Sequence, residues 1–203
     1  GETLLSFRRR GLERSFALSV LRYIPAVSLV AILGLSGCGE GTEPILIPIP
    51  DETREATVVD VSTGSVADPS AFDVITGEAV RTDQFSGWDF VFQITEEGGA
   101  VWWPRSSIIE QNEDSGLILS SLDFDALVEA PESGYVLLES VPVAVGDVFA
   151  ARSRRDPAFG NVRCRHFAKL EILEIDADEG TISFQHLVNP NCEKRKLVPG
   201  AEE

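Results

Sequence analysis

Four side chains near the C-terminal end carry the reactive atoms most able to work together: Cys164, His166, His186 and Cys192. Two thiols can close a disulfide, and two thiolates with two imidazoles make a zinc ligand set. Spacing separates these readings. His166, Ala168, Leu170 and Ile172 share one parity, and Leu173 and Ile175 switch it, which predicts a strand with a bulge near Ile172. The polar run Asp176-Ala177-Asp178-Glu179-Gly180 reads as a turn, and Ile182, Phe184, His186 and Val188 share a face on the return strand. Pairing Ile175 with Thr181 then sets Cys164 opposite Cys192, and a disulfide is expected there. In the same register His186 faces Leu170 and His166 faces Pro190, so the imidazoles stand roughly 13 Å apart. That is too far for one tetrahedral ion, and no metal site is expected.

Signatures of catalysis are missing. The chain has no Gly-x-Ser-x-Gly, no His-Glu-x-x-His and no phosphate loop, and its only two histidines both fall in the hairpin. No catalytic residue is assigned, and the chain is not read as an enzyme. Asp123 with Asp125, and Asp176 with Asp178 and Glu179, are explained by a helix start and a turn rather than by paired-carboxylate or calcium chemistry. Arg152, Arg154 and Arg155 form a compact basic cluster, read as a solvated loop that offsets local acidity; the alternative is a grip on a carboxylate or an anionic ligand. Trp102-Trp103 sends one indole to each face of a strand, one into the core and the other available as a contact. His166, His186 and Trp103 are therefore the candidate ligand-binding residues.

The elements that must position these groups read as short strands. Thr57 to Val61 alternates, and Ala71 to Ile75 meets a turn at Thr76-Gly77 and a second short run. Trp88, Phe90, Phe92 and Ile94 fall on one strand face, with Asp89 and Gln93 on the other. Further strands are expected at Ala100 to Trp103, Gly116 to Ser120, Tyr135 to Glu139 and Val148 to Arg152. One short helix is expected to begin at an N-cap Ser121, to bury Leu122, Phe124, Leu127 and Val128, and to stop at Pro131. The fold class is mostly β, a compact antiparallel domain with one short helix.

Charge is distributed unevenly along the 203 residues. The whole chain carries 17 Lys and Arg against 33 Asp and Glu, a net −16, which disfavours nucleic-acid phosphates. Arg8, Arg9, Arg10, Arg14 and Arg22 precede an apolar run from Tyr23 to Gly37 that is shorter than the roughly 20 residues of a spanning helix. A basic stretch, an apolar stretch and small residues describe an export signal. Its end, Leu35-Ser36-Gly37-Cys38, resembles the lipobox of bacterial lipoproteins. The resemblance implies cleavage before Cys38 and attachment of a diacylglycerol to its thiol. Residues 1–37 are then a signal peptide, and 166 residues with a net −19 remain. Residues 38–55, with Pro44, Pro48 and Pro50, read as the lipidated N-terminus and tether, though Ile45, Leu46, Ile47 and Ile49 are apolar enough to pack on the domain as an edge segment. Residues 56–203 are the β domain. Gly39, not Asp, follows Cys38, which favours the outer membrane.

Several pieces in order resemble the HmuY-type family of secreted and lipid-anchored bacterial proteins. They are Phe72-Asp73-Val74-Ile75-Thr76-Gly77-Glu78, Trp88-Asp89-Phe90-Val91-Phe92, Phe124-Asp125 with Ala130-Pro131 and Gly134-Tyr135, Gly146-Asp147-Val148-Phe149 with Arg152, and Phe167-Ala168-Lys169-Leu170-Glu171-Ile172. The resemblance implies a compact antiparallel β fold and, in the best-known members, capture of haem through two axial His, with Met used in relatives. This chain has no Met, and neither His166 nor His186 lies in a motif matched to those ligands. No cofactor is assigned, and haem stays one possible ligand. The expected protein is a non-enzymatic envelope lipoprotein held to the membrane at Cys38 that binds haem or another small ligand. The alternative is an interaction or scaffold lipoprotein with an envelope protein partner and no small ligand.

Overall fold

Alternation of apolar and polar residues along short segments builds two antiparallel five-stranded sheets. The computed structural model describes residues 46–109, 114–156 and 164–201. They belong to one compact unit, Pro44–Glu203. The first sheet runs, edge to edge, β1 (Arg54–Val59), β10 (Thr181–Asn189), β9 (Phe167–Asp176), β8 (Val148–Arg152) and β6 (Gly116–Leu119). The second runs β3 (Glu78–Val80), β2 (Ala71–Asp73), β4 (Phe90–Ile94), β5 (Ala100–Pro104) and β7 (Val141–Val143). Their inner faces meet in one core that includes Val58, Phe72, Phe90, Phe92, Trp102, Phe149, Leu170, Ile172, Ile182 and Phe184. Phe184 takes both Phe72 and Trp102 edge-on, with ring centroids 5.1 and 5.5 Å away. Such contacts add to area burial and lock the two sheets in one alignment.

Both outer faces are also covered. Val148, Ala150, Phe167 and Leu187 on the first sheet pack against Ile49, Phe124, Leu127, Ala130 and Leu197. On the second sheet Ala71 and Val91 pack against Trp88. β8 and the first half of β9 are therefore buried on both sides, which explains their nearly continuous apolar runs.

The hairpin follows the sequence expectation closely. His186 pairs with Leu170 and Asn189 with Phe167, and the Cys164–Cys192 disulfide closes the open end with a Cα–Cα distance of 5.0 Å. Phe184 pairs with Ile172 whereas Ser183 pairs with Glu174, so Leu173 is the bulged residue. On the turn side Ile175 pairs with Ile182 instead of Thr181, because the extra residue shifts the register by one. Asp176 Oδ1 accepts the N–H groups of Asp178 and Glu179, and Gly180 supplies the positive φ of 66° that closes the loop.

Four elements depart from expectation. The helix is not at residues 122–130. The N–H groups of Ala126 and Leu127 both donate to Asp123 O at 3.0 Å, which makes a single turn. Glu129 then bridges to Lys196, and Ala130 N–H donates to Arg195 O. Phe124, Leu127 and Ala130 are spaced three apart because they cap the outer face of the first sheet, which needs only that turn. The helix that does form, α1 (Arg105–Ile108), is one turn long, too short to show a period in sequence. Tyr135 to Glu139 is not a strand; only Val136 bridges to Leu117. β7 was hidden by Pro142, which an edge strand tolerates because its missing N–H faces no partner. Trp88 also leaves the face of Phe90 and Phe92, since it precedes β4 and packs outside with Ala71 and Val91.

The segment read as a tether docks on the domain. Ile49 is buried, and Asn191 clamps Ile47 by donating Nδ2–H to its carbonyl and accepting its N–H at Oδ1, both at 2.7 Å.

Candidate functional site

His186 lies on β10 among inner-face core residues because its parity matches Ile182 and Phe184. It is 2% exposed and meets Phe72 edge-on at 4.9 Å. Nδ1 has no hydrogen-bond partner among the described residues. An unpaired buried nitrogen costs free energy, and such groups need a reason. The imidazole lines a half-enclosed pocket of about 120 Å³, bounded by Pro50 and Arg54 before and at the start of β1, by Thr76 and Gly77 in the β2–β3 turn, and by Val188. Gly77 has φ 67°, and a Cβ there would stand 3.5 Å from His186 Cε1. The turn thus lays bare backbone against the ring.

Burial, helped by the nearby Arg54 charge, pushes His186 down from 6.5 to about 4. At neutral pH the ring is a neutral acceptor and donor. The unfolded chain takes the proton first as pH falls, so full stability above pH 6.5 is lost progressively between 6.5 and 4. His186→Leu should flatten the dependence of the urea midpoint on pH over that window. An unchanged slope in the variant would show that His186 is not the group responsible.

His166, the second sequence candidate, is separate from this pocket. It is buried at the open end of the hairpin, where Nε2 lies 3.1 Å from Asp156 Oδ2 and 3.7 Å from Cys164 Sγ. Nδ1 is 3.3 Å from Asn189 O. Trp103, the third, lies on the outer face of the second sheet and donates Nε1–H to Gln93 Oε1 at 2.8 Å. Its neighbour Trp102 is in the core, so the two indoles do take opposite faces. His166, His186 and Trp103 therefore form three places and not one site.

The arginine cluster is not a solvated loop. Arg154 Nη1 donates to Asp73 Oδ1 at 2.8 Å and to Asp89 Oδ2 at 3.0 Å, and the Asp89 side chain is fully buried. Asp89 also accepts from Val74 N–H, Ser115 Oγ–H and Arg154 N–H. Burial by itself pushes the Asp89 carboxyl up, and Arg154 acts against it. Four donors converge on its two oxygens, an arrangement made for the carboxylate. A Cβ on Gly87 would lie 2.6 Å from Arg154 Nη2, so a larger residue there would push the guanidinium off its aspartates. Arg155 and Arg165 pair with Asp114, and Arg152 donates to the Asp114 carbonyl while lying over Tyr135. The chain's own carboxylates and carbonyls take the grip an anionic ligand would need.

Sequence reasoning missed Asp156 and the inward role of Asp89. Asp156 sits outside the hairpin, and no spacing rule links it to His166. Alternation from Trp88 to Ile94 puts Asp89 on the face opposite Phe90, yet its carboxylate bonds across to Ser115 and Arg154 beside the first sheet. Lys169 also surprises. It is 1% exposed, donates to Phe124 O at 2.8 Å and lies over the Phe124 ring. Burial lowers its pKa, with Asp125 opposing.

Cys38 lies outside the described residues. Among those residues no helix is long and apolar enough to cross a membrane. Comparison with protein-family models, with curated proteins and with solved structures finds no match to this chain.

Proposed function

We propose that this chain is a lipid-anchored cell-envelope protein, attached through Cys38, whose β domain binds a small ligand beside His186. The observation that carries the reading is the buried, neutral imidazole with an unpartnered Nδ1 lining a pocket of about 120 Å³. A pocket with apolar walls and a few polar groups is the usual form of a small-molecule site. The disulfide supports the compartment, since such bonds persist where the surroundings are oxidising. The resemblance to HmuY-type proteins names haem as the first ligand to test. A whole porphyrin exceeds a pocket of about 120 Å³, whereas a smaller ligand would be enclosed beside His186.

Adding haem to the purified protein should give a saturable Soret shift that His186→Ala abolishes. A shift that survives the substitution would place haem away from this pocket, and no shift at micromolar haem would remove haem as the ligand. A second reading, an envelope interaction protein, draws on exposed Leu119, Leu122, Leu138 and Val145. It predicts stable co-purification with an envelope protein that substitutions at those positions disrupt.

A further inference from the structure

We propose that the reduced protein binds one zinc ion through Asp156, Cys164, His166 and Cys192, with the disulfide as the metal-free alternative state of the same site. Asp156, Cys164 and His166 are all buried, and one ligand atom from each lies within 4.8 Å of the others. Around tetrahedral zinc, a nitrogen and an oxygen ligand stand about 3.3 Å apart, and a nitrogen and a sulfur about 3.5 Å apart. The measured separations are 3.1 Å for His166 Nε2 to Asp156 Oδ2 and 3.7 Å for His166 Nε2 to Cys164 Sγ. Both separations from His166 Nε2 are close to coordination spacing, and the Asp156 oxygen and Cys164 sulfur lie within 4.8 Å of each other.

The surroundings suit a metal ligand as well. A ligating histidine normally gives its other N–H to a carbonyl or carboxylate, which fixes the ring. His166 Nδ1 faces Asn189 O at 3.3 Å, leaving Nε2 toward the cluster. Backbone pairing brings Asp156 there. Beyond β8, Ser153 N–H donates to His166 O at 2.9 Å, and Asp156 N–H donates to Cys164 O at 2.8 Å. The site is thus held by an extension of the central strand pair, and Cys192, half-buried, is its exposed side.

Chemically, a dithiol reductant attacks the disulfide and closes to its own disulfide. Two electrons and two protons pass to Cys164 and Cys192, giving two thiols. Zinc then binds both sulfurs as thiolates, with two protons released to solvent. Cys192 lies outside the three-atom cluster, so once the S–S bond is broken its side chain turns in to stand about 3.8 Å from Cys164 Sγ, the spacing of two thiolates on one zinc. Two thiolates, one imidazole and one carboxylate complete four ligands. His186 takes no part, so this site and the proposed ligand pocket stand or fall separately.

The test uses the full chain, reduced with a dithiol that is then removed without oxygen, and titrated with zinc or cobalt alone. One metal per chain is expected after reduction and none before it. Cobalt should show thiolate charge transfer and the visible bands of tetrahedral coordination. Asp156→Asn and His166→Ala should each weaken binding at least about tenfold, with the disulfide-bonded forms checked as folded by circular dichroism. Zinc binding that is equal in oxidised and reduced protein would overturn the proposal. So would a reduced chain that binds no zinc, folded or not, or ligand variants that bind as wild type does.

Discussion

Asp89→Asn is expected to destabilise the domain by about 3–5 kcal/mol, the cost of leaving one partner of a buried ion pair behind. The reason is the number of donors its carboxylate serves. Val74 N–H comes from the β2–β3 turn, Ser115 Oγ–H from just before β6, and Arg154 from just after β8. The carboxylate therefore joins the second sheet to the first at one buried point. An asparagine keeps the shape, but its amide nitrogen meets donors on both sides, and Arg154 loses half its countercharge. Asp73 retains its own bond to Arg154, so Asp73→Asn should cost less. Arg154→Lys should also lower stability, because lysine has no second nitrogen for the Nη2 contact to Asp73 and no planar guanidinium to lie beside Gly87. Urea unfolding gives the result as a lower midpoint with an unchanged slope. A loss below about 1 kcal/mol would show that the clamp is not a main support of the sheet pair.

Removing the disulfide with Cys164→Ser and Cys192→Ser together should cost about 3–4 kcal/mol, from the chain entropy restored to the unfolded state when a closed loop of this length is opened. The two cysteines are 28 residues apart, and the loop contains the whole β9–β10 hairpin. The expected fall in midpoint temperature is about 10 °C for a domain of this size. The measurement is made with a chelator present, so that no metal contributes. A much smaller loss would mean that the hairpin, held by its own ladder and by β1 and β8 on either side, stays associated in the unfolded ensemble.

How much was legible in the sequence follows from how local the determining forces are. The β9–β10 hairpin could be read because a strand period, a bulge and an Asp-rich turn are all encoded within 30 contiguous residues, and the cysteines tie the far end. The short strands at Ala71, Ala100, Gly116 and Val148 could be read for the same reason. The misplaced helix shows the limit. Phe124, Leu127 and Ala130 have helical spacing, yet the free energy of covering an outer sheet face and of pairing Glu129 with Lys196 outweighed the local propensity of a short segment.

Sites depend on long-range partners, which are the part sequence periodicity does not carry. The sequence points to His186 as a residue, but its pocket exists only because Gly77 arrives from the β2–β3 turn and Arg54 from β1. Arg154 looked like a loop cation until two aspartates 81 and 65 residues away met it. Asp156 joins His166 only because β8 and β9 continue pairing past their ends.

A mostly β chain, the hairpin register and the cysteine pairing follow from local sequence, because alternation and turn chemistry act over a few residues. Which charged groups are buried, and what each of them faces, depends on contacts between distant segments. Burial depends on which two sheets meet, and the partners that make a buried charge tolerable come from wherever the chain happens to pass.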